Sequence, residues 1–312
     1  MYLAVFCQLM VAVVVVACDL CRADQKPGGN VRIFLLTALV MVAFASNSVL
    51  NRAALTGAEI GPMDFALIRV GSGAVALALL VLLRDRKMAL LGPHRLIGVL
   101  SLSLYLLAFS TAYVALDAGI GALILFGGVQ VTMFAGALLM REQMPMRRWL
   151  GAGLAFTGLG WLLWPVGDAQ ASVLHGVLMI FAALGWGIYS LVGRKSDDPL
   201  GATAANFVLA VPVCGALWWM MPVAAEAVSP TARGVLLAVV SGVVTSALGY
   251  ALWYSVLPKL QASVAAVAQL TVPVIALAGG MVFLGETLSL RFAVASALVL
   301  GGVAISVLAR KR

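Results

Sequence analysis

Apolar runs of about 20 residues, separated by short polar breaks, follow one another from residue 33 to residue 308. A helix needs roughly 20 apolar residues, each rising about 1.5 Å, to cross the hydrocarbon core of a bilayer. A membrane barrel would instead show segments of about ten residues with alternating polarity. The pattern therefore predicts an all-α membrane protein with ten transmembrane helices, at 33–51, 63–83, 96–114, 118–140, 146–166, 173–193, 201–222, 233–256, 260–283 and 289–308.

Composition and charge agree with this prediction. Of the 312 residues 63% are hydrophobic and only 10% are charged, which is more apolar surface than one soluble core can bury. The net charge of +8 is explained by membrane topology better than by nucleic-acid binding. If the first span begins inside, sixteen of the 20 Lys and Arg residues lie on the inner side and three on the outer side. We therefore predict an inner-membrane protein in contact with lipid, with both ends of the ten-helix body in the cytoplasm.

An apolar extension, residues 1–30, precedes the predicted spans. Its first part, MYLAVFCQLMVAVVVVAC, is open to three interpretations: an eleventh span, a signal-like segment, or translation from an upstream start codon that the cell does not use. Lipoprotein cleavage before Cys18 would place the basic residues that follow on the outer side, against the charge rule. Cys18 and Cys21 form a CxxC pair, which we interpret as structural rather than redox-active or metal-binding. We predict no metal and no cofactor.

The two halves of the chain resemble each other. An offset of 144 residues places Glu142 on Glu286 and Arg147 on Arg291, and other identities follow in order through both halves. We interpret the halves as two five-helix repeats, 31–167 and 168–312. Because five is an odd number, the second repeat would enter the membrane from the opposite side. Inverted repeats of this kind are typical of transporters that open one cavity alternately to each side.

The ends of the repeats, GALLMREQMPMRRWLGAGLAFTGLGWLL and GGMVFLGETLSLRFAVASALVLGGVAISV, resemble the paired signature of the drug/metabolite transporter superfamily, EamA type. The segment AALGWGIYSLVGR resembles the start of that family's second repeat. The resemblance covers about residues 31–310 and implies a ten-helix carrier with cytoplasmic termini, usually an exporter of metabolites such as amino acids. The chain departs from the family at its N-terminal extension and at Arg141-Glu142, where Gly-Glu is more usual.

Each repeat carries a glutamate and an arginine at a predicted hairpin. Glu142 with Arg147, and Glu286 with Arg291, lie between one span and the next. A carboxylate there can accept hydrogen bonds from the N–H groups that begin the following helix, with the arginine nearby. Ser289 can cap that helix in the second repeat. A proton-coupling carboxylate should instead lie near the midplane or in a cavity, so we favour a structural role.

Polar and aromatic residues inside the spans are the candidates for a substrate site, because unpaired polar groups are costly in lipid. No Asp, Glu, Lys or His is placed near the middle of a span, which favours a neutral or zwitterionic small-molecule substrate. Arg69 is predicted either to snorkel or bond to another helix, or to attract an anionic group. Pro273 and Gly128 are predicted to weaken equivalent helices near the midplane. The candidate cavity residues are Asn47, Arg69, Tyr105, Gln130, Trp186, Tyr189, Tyr250, Gln269 and Pro273, and further polar residues in the spans include Ser103, Thr132, Asn206, Thr245 and Thr271.

Two other classes of protein are disfavoured. An intramembrane zinc enzyme would need clustered ligands, but His94 and His175 are far apart in the sequence. A non-transporting assembly protein would not require an inverted repeat. We therefore predict a secondary transporter and not an enzyme, which exports a small metabolite by alternating access. A homodimer is a further hypothesis.

Overall fold

The computed structural model describes residues 29–85, 88–139, 146–164, 170–193, 196–220, 228–260, 268–269 and 271–307. These residues form helices joined by short connections, and none of them is in a strand. The helices of the first half are α1 (Gly29–Thr56), α2 (Pro62–Asp85), α3 (Arg95–Ala112), α4 (Ala118–Leu139) and α5 (Met146–Leu163). Those of the second half are α6 (Gln170–Gly193), α7 (Pro199–Met220), α8 (Ala232–Val256), α9 (Thr271–Leu284) and α10 (Leu290–Val307).

Seven helices of the described chain, α1 to α4 and α6 to α8, are long and apolar enough to cross a bilayer. Shorter apolar segments occupy α5, α9 and α10, at Trp149–Leu162, Thr271–Leu284 and Leu290–Gly302. The fold is thus an all-helical membrane fold. The prediction of ten full spans stays a prediction, because these three segments are shorter than a bilayer normally requires.

The outside of the helical bundle is apolar. Val75, Leu79, Phe156 and Val282 are each more than half exposed, although they lie inside helices. A soluble protein rarely presents so much apolar surface to water. In a bilayer these side chains meet lipid, and the polar residues are left to face the interior of the bundle.

The packing of the helices has a two-fold pattern. The most extensive interfaces join α5 to α10, α3 to α6, α1 to α8, α2 to α7, α2 to α8, α4 to α6, α1 to α9, α4 to α9, and α3 to α7. If α1–α5 are exchanged in order with α6–α10, this set of pairs is unchanged. For example, the α3–α6 pair becomes the α8–α1 pair. Two equivalent halves would produce this pattern.

Helix α8 departs from regular α-helix in its middle. It is α-helical at Ala232–Val240 and Gly249–Val256, but Ser241–Leu248 between them is a π-helix. A π-helix bonds each N–H one residue farther back than an α-helix does, so its turn is wider. Such wide turns are often found at functional sites. Here the wide turn lies where α8 packs against α1 and α2.

Several sequence-based predictions fall on residues outside the described ranges. They are the N-terminal extension up to residue 28, Glu142 in the first hairpin, and residues 261–267 and 270 before α9. Helix α1, at Gly29–Thr56, extends beyond the predicted 33–51 at both ends.

Candidate substrate site

A cavity lies in the interior of the bundle between α1, α3, α4, α6 and α8. It contains about 310 Å³ of empty space, including the space at its opening, and little of it is wide enough for water. The lining carries no formal charge. It consists of Phe44, Asn47, Ser48, Tyr105, Phe109, Leu125, Phe126, Trp186, Thr245 and Tyr250.

Trp186 of α6 is the centre of an aromatic wall. Its ring centroid lies 5.0 Å from that of Tyr105, 4.9 Å from that of Tyr250 and 6.4 Å from that of Phe44. Phe44 also meets Tyr250 edge to face at 5.8 Å. Aromatic pairs at such distances contribute about 0.5–1.5 kcal/mol each beyond the area that they bury. The wall therefore joins helices of both halves and presents ring surfaces to the cavity.

Asn47 of α1 organises the polar part of the lining. Its Oδ1 accepts hydrogen bonds from Ser241 Oγ at 2.7 Å and from Thr245 Oγ1 at 3.2 Å. Its Nδ2 donates to the hydroxyl of Tyr105 at 3.4 Å. One buried amide thus connects α1 to both α8 and α3. Since a buried polar group without partners is costly, these bonds hold the three helices in register.

Arg69 of α2 lies directly behind this polar group and is completely buried. Its Nη2 donates to the hydroxyl of Tyr105 at 3.0 Å, and its Nε donates to Ser246 Oγ at 3.0 Å. The guanidinium carbon is 5.2 Å from the ring centroid of Tyr105 and 5.1 Å from that of Phe109. Nη1 has no hydrogen-bond partner. The expectation that Arg69 snorkels to the membrane surface is wrong, whereas the alternative of bonding between helices is observed.

The π-helical turn explains how α8 forms hydrogen bonds with α1 and α2 from adjacent residues. Thr245 reaches Asn47 of α1, and the next residue, Ser246, reaches Arg69 of α2. Sequence reasoning missed Ser241 and Ser246. Their signal was present in the sequence SGVVTSAL, which places hydroxyls at i, i+4 and i+5 within an apolar span. Hydroxyls so spaced lie on one side of a helix, because residues four apart are neighbours on its surface.

Four of the predicted cavity residues line the cavity together: Asn47, Tyr105, Trp186 and Tyr250. Tyr189 does not. Its ring stacks on Trp186 with centroids 5.6 Å apart, and its hydroxyl donates to Thr203 of α7 at 3.2 Å. Tyr189 therefore supports the aromatic wall from behind and does not line this cavity, as its place among the candidate cavity residues would require.

Arg69, Gln130, Gln269 and Pro273 also lie outside the lining of this cavity. The two glutamines are half-buried. Pro273 is buried in the first turn of α9 as described, where a missing backbone N–H leaves no intrahelical bond unmade. A helix break near the midplane at this position stays a prediction.

The side chains in the hairpin of the second repeat contact other parts of the bundle rather than each other. Glu286 Oε1 accepts from the backbone N–H of Ala118, at the start of α4, at 2.8 Å, and Arg52 Nε lies 3.9 Å away. Burial raises the pKa of Glu286, Asp117 raises it further, and the Ala118 N–H and Arg52 lower it. The structure thus places the carboxylate at a helix start, as expected, but at α4 and not at the following helix.

Ser289 and Arg291 complete this hairpin. Ser289 Oγ accepts from the backbone N–H of Phe292 at 3.1 Å, in the first turn of α10. Arg291 Nη2 donates to the carbonyl oxygen of Trp161 at 2.9 Å and also to that of Trp164. Arg291 therefore binds the end of α5 and not Glu286, because the free carbonyl groups of a helix end attract cations. In the first repeat Arg147 is exposed at the start of α5, and Glu142 lies outside the described residues.

The described ion pairs join residues that the sequence places on the same side of the membrane. Arg52 pairs with Asp117 at 3.2 Å and Arg233 with Glu59 at 3.0 Å, all on the predicted outer side. Arg84 pairs with Asp198 at 2.8 Å on the predicted inner side. In the described part of the chain, no three His, Cys, Asp or Glu side chains are grouped so that they could hold a metal ion.

Known proteins resemble this chain over most of its length. An uncharacterized protein of Pseudomonas aeruginosa is 44% identical over 88% of this chain and 94% of its own. An "uncharacterized transporter" of Archaeoglobus fulgidus is 25% identical over 81% of this chain and 90% of its own. A "probable amino-acid metabolite efflux pump" of Salmonella typhimurium is 25% identical over 62% of this chain and 68% of its own.

The fold has a solved counterpart. A crystal structure of a protein with 18% identity superposes with a TM-score of 0.62 and covers 90% of this chain and 99% of its own. The sequence matches the EamA-like transporter family twice, at residues 31–164 and 174–308. The resemblance seen in the sequence is thereby confirmed, and the chain belongs to the EamA-like transporter family.

Proposed function

We propose that the protein is a secondary transporter that exports a small metabolite by alternating access between two inverted five-helix repeats. The proposal rests on the observation that both halves of the chain contribute residues to the cavity lining. Phe44, Asn47 and Tyr105 come from the first matched half of the chain, whereas Trp186 and Tyr250 come from the second. In carriers built from inverted repeats, the substrate site lies between the repeats near the midplane.

The packing pattern supports the mechanism. Exchange of the two halves leaves the set of major helix pairs unchanged, so the halves could exchange their conformations as well. The cavity is narrow in this structure, and its predicted outer end is tied by the contacts of Glu286 with Ala118 and Arg52. Loading and release would therefore require the helices to separate on one side at a time.

The direction of transport, the inner-membrane location and the cytoplasmic ends of the ten-helix body belong to the same proposal. They are supported by the distribution of basic residues. The Salmonella relative, an amino-acid metabolite efflux pump by its printed description, supports export of a small amino-acid-like metabolite. A homodimer remains part of the hypothesis. We assign no catalytic activity, since the EamA family consists of transporters.

The test is substrate flux through the purified full-length chain in liposomes. Vesicles are loaded with labelled amino acids, purines, organic acids or sugar derivatives. The rate of efflux is compared with that from equally loaded liposomes that lack the protein. We expect at least one class of compound to move faster with the protein present. If folded protein moves no compound of the panel above the background rate, the transporter proposal is wrong.

Trp186→Leu tests whether the cavity is the route of transport. Removing the central ring should reduce flux about tenfold or more, because Trp186 loses its four ring contacts in one step. Trp219→Leu is the matched control, since Trp219 is 80% exposed at the lipid-facing end of α7. Both variants are first checked for a single folded peak in detergent. If the Trp186→Leu variant transports at the wild-type rate, the substrate does not pass through this cavity.

A further inference from the structure

The polar side of the cavity offers more hydrogen-bond donors than acceptors. The amide oxygen of Asn47 has two acceptor positions. The hydroxyl of Ser241 fills one, and the hydroxyl of Thr245 shares its hydrogen between the other, at 3.2 Å, and the carbonyl oxygen of Ser241, at 2.8 Å. The hydroxyl oxygen of Tyr105 already receives two donors, Arg69 Nη2 and Asn47 Nδ2. The best acceptors of the site are therefore occupied within the protein.

The spare hydrogens are easily identified. The hydroxyl of Tyr105 accepts both of the hydrogen bonds that it makes with described residues, so its own hydrogen remains to be donated. Arg69 Nη1 adds N–H groups that have no partner. A ligand that meets this side of the cavity must supply acceptors.

Charge favours the same type of ligand. Arg69 is completely buried and forms no ion pair with any carboxylate of the described residues. The nearby rings and two hydrogen bonds compensate part of the cost of burying this cation, but an unpaired buried charge remains unfavourable. Guanidinium groups pair especially well with carboxylates, because the two have matching planar geometry.

An ammonium group finds no charged partner in the cavity, and only ring faces such as that of Trp186 remain to hold it. The lining contains no carboxylate, and the oxygens of Asn47 and Tyr105 are already in use. Ring faces can hold cations, but the faces of Tyr105 and Phe109 already meet the guanidinium of Arg69. A second positive charge there would be repelled.

We propose that the cavity binds a compact organic monoanion, such as a monocarboxylate with an apolar body, in preference to a zwitterionic amino acid. The anionic group takes up the hydrogen of the Tyr105 hydroxyl in the lining and the unpartnered Nη1 of Arg69, which lies behind that lining, and the apolar body lies against Trp186. The Asn47–Tyr105 bond is long, at 3.4 Å, and is the bond that the anion replaces. This inference rests on the proposed function, and it differs from the neutral or zwitterionic substrate that the sequence favoured.

Binding to the purified full-length chain in detergent tests the inference without any transport. The probes form two matched series in which the apolar body stays the same and the polar and charged groups change. One is 3-phenylpropanoate, 3-phenylpropanamide, phenylalanine and 2-phenylethylamine, and the other is 4-methylpentanoate, 4-methylpentanamide, leucine and 3-methylbutylamine. Titration calorimetry gives the dissociation constants. We expect a carboxylate to bind at least tenfold more tightly than its own amide, amino acid and amine.

Two results would overturn the inference. One is tighter binding of phenylalanine or leucine than of the matching carboxylate, which would favour a zwitterion. The other is that neither carboxylate binds at millimolar concentration. The flux screen described above does not depend on this outcome, since a carrier that moves only amino acids would satisfy the proposed function and contradict the monoanion.

Variants assign the preference to named groups. Arg69→Gln keeps hydrogen-bond donors but removes the positive charge. The affinity for the carboxylates should fall about tenfold or more, as expected for loss of a charge-assisted hydrogen bond. The affinity for the amides should change less than about twofold. Arg69→Lys should restore part of the loss. If Arg69→Gln does not fold, Tyr105→Phe is measured against Tyr254→Phe, which removes a hydroxyl outside the lining one turn after Tyr250. Equal carboxylate affinities in these two variants would contradict the inference.

Discussion

Gly185 marks the closest approach of α6 to α3, beside the aromatic wall. A Cβ added at this position would lie 2.7 Å from the carbonyl oxygen of Ser101 and 2.8 Å from the backbone nitrogen of Tyr105. Ordinary contacts of a Cβ begin near 3.4 Å, so the helices would have to separate by roughly 0.7 Å. Both obstructing atoms belong to a helix backbone, and no side chain can turn aside to make room.

Gly185→Ala should therefore destabilise the folded protein. Inserting a methyl group into a well-packed interface typically costs about 1–3 kcal/mol, and the α3–α6 interface is among the most extensive in the molecule. The substitution also moves the neighbouring Trp186 relative to Tyr105, whose ring centroids are 5.0 Å apart. We expect the free energy of unfolding to fall by about 1–3 kcal/mol and the rate of flux to fall with it.

Reversible unfolding of the full chain in mixed detergent micelles measures the change. Gly160→Ala is the control, because a Cβ at Gly160 of α5 meets no atom within 4 Å. The same glycine-to-alanine substitution is thus made once at a closely packed position and once at a position with no neighbouring atoms. Equal free energies of unfolding for the two variants would show that α3 and α6 are not packed as closely as described.

Three further predictions concern polar groups. Burial raises the pKa of Glu286 above its ordinary 4.5, so ionisation disfavours the folded state and stability should fall as the pH rises above about 4.5. Glu286→Gln should remove this dependence. At Glu59 the sign is opposite, because the hydrogen bond from Thr231 lowers the pKa of the Glu59 carboxyl, so Glu59→Gln should remove a stabilisation that the wild type loses at low pH. Unchanged pH profiles of thermal unfolding would refute both predictions. Asn47→Leu leaves the hydroxyl of Ser241 without its side-chain acceptor, whereas Thr245 keeps the carbonyl oxygen of Ser241. The substitution should cost about 1–3 kcal/mol of unfolding free energy, and stability equal to that of the wild type would contradict this prediction.

The aromatic and amide part of the site can be predicted from the sequence for a simple reason. Polar atoms in an apolar span must face protein or water, so Asn47, Tyr105, Trp186 and Tyr250 stand out against their neighbours. The same reasoning favoured Gln130, which lies outside the lining of this cavity. The spans are apolar on all sides, so the sequence does not show which side of each helix faces the cavity.

Two other features could not be predicted from local patterns. A π-helical turn changes the hydrogen bonding of α8 without changing its hydropathy, so the roles of Ser241 and Ser246 appear only when α8 is packed against its neighbours. Glu286 and Arg291 suggested a local pair, but their partners lie 168 and 130 residues away. Contacts over such distances depend on the arrangement of the whole bundle.

The unpaired charge of Arg69 connects the cavity to the membrane voltage. A carrier with an empty site holds one buried positive charge there, whereas a carrier that holds a monoanion is neutral at the same place. Moving an elementary charge through 100 mV changes its energy by about 2.3 kcal/mol, and a partial displacement changes it by a fraction of that value. In an exporter the empty site must return toward the inside, which is the direction in which an inside-negative potential draws a positive charge. The buried guanidinium would thus let voltage drive the return step without any ion-binding carboxylate in the spans.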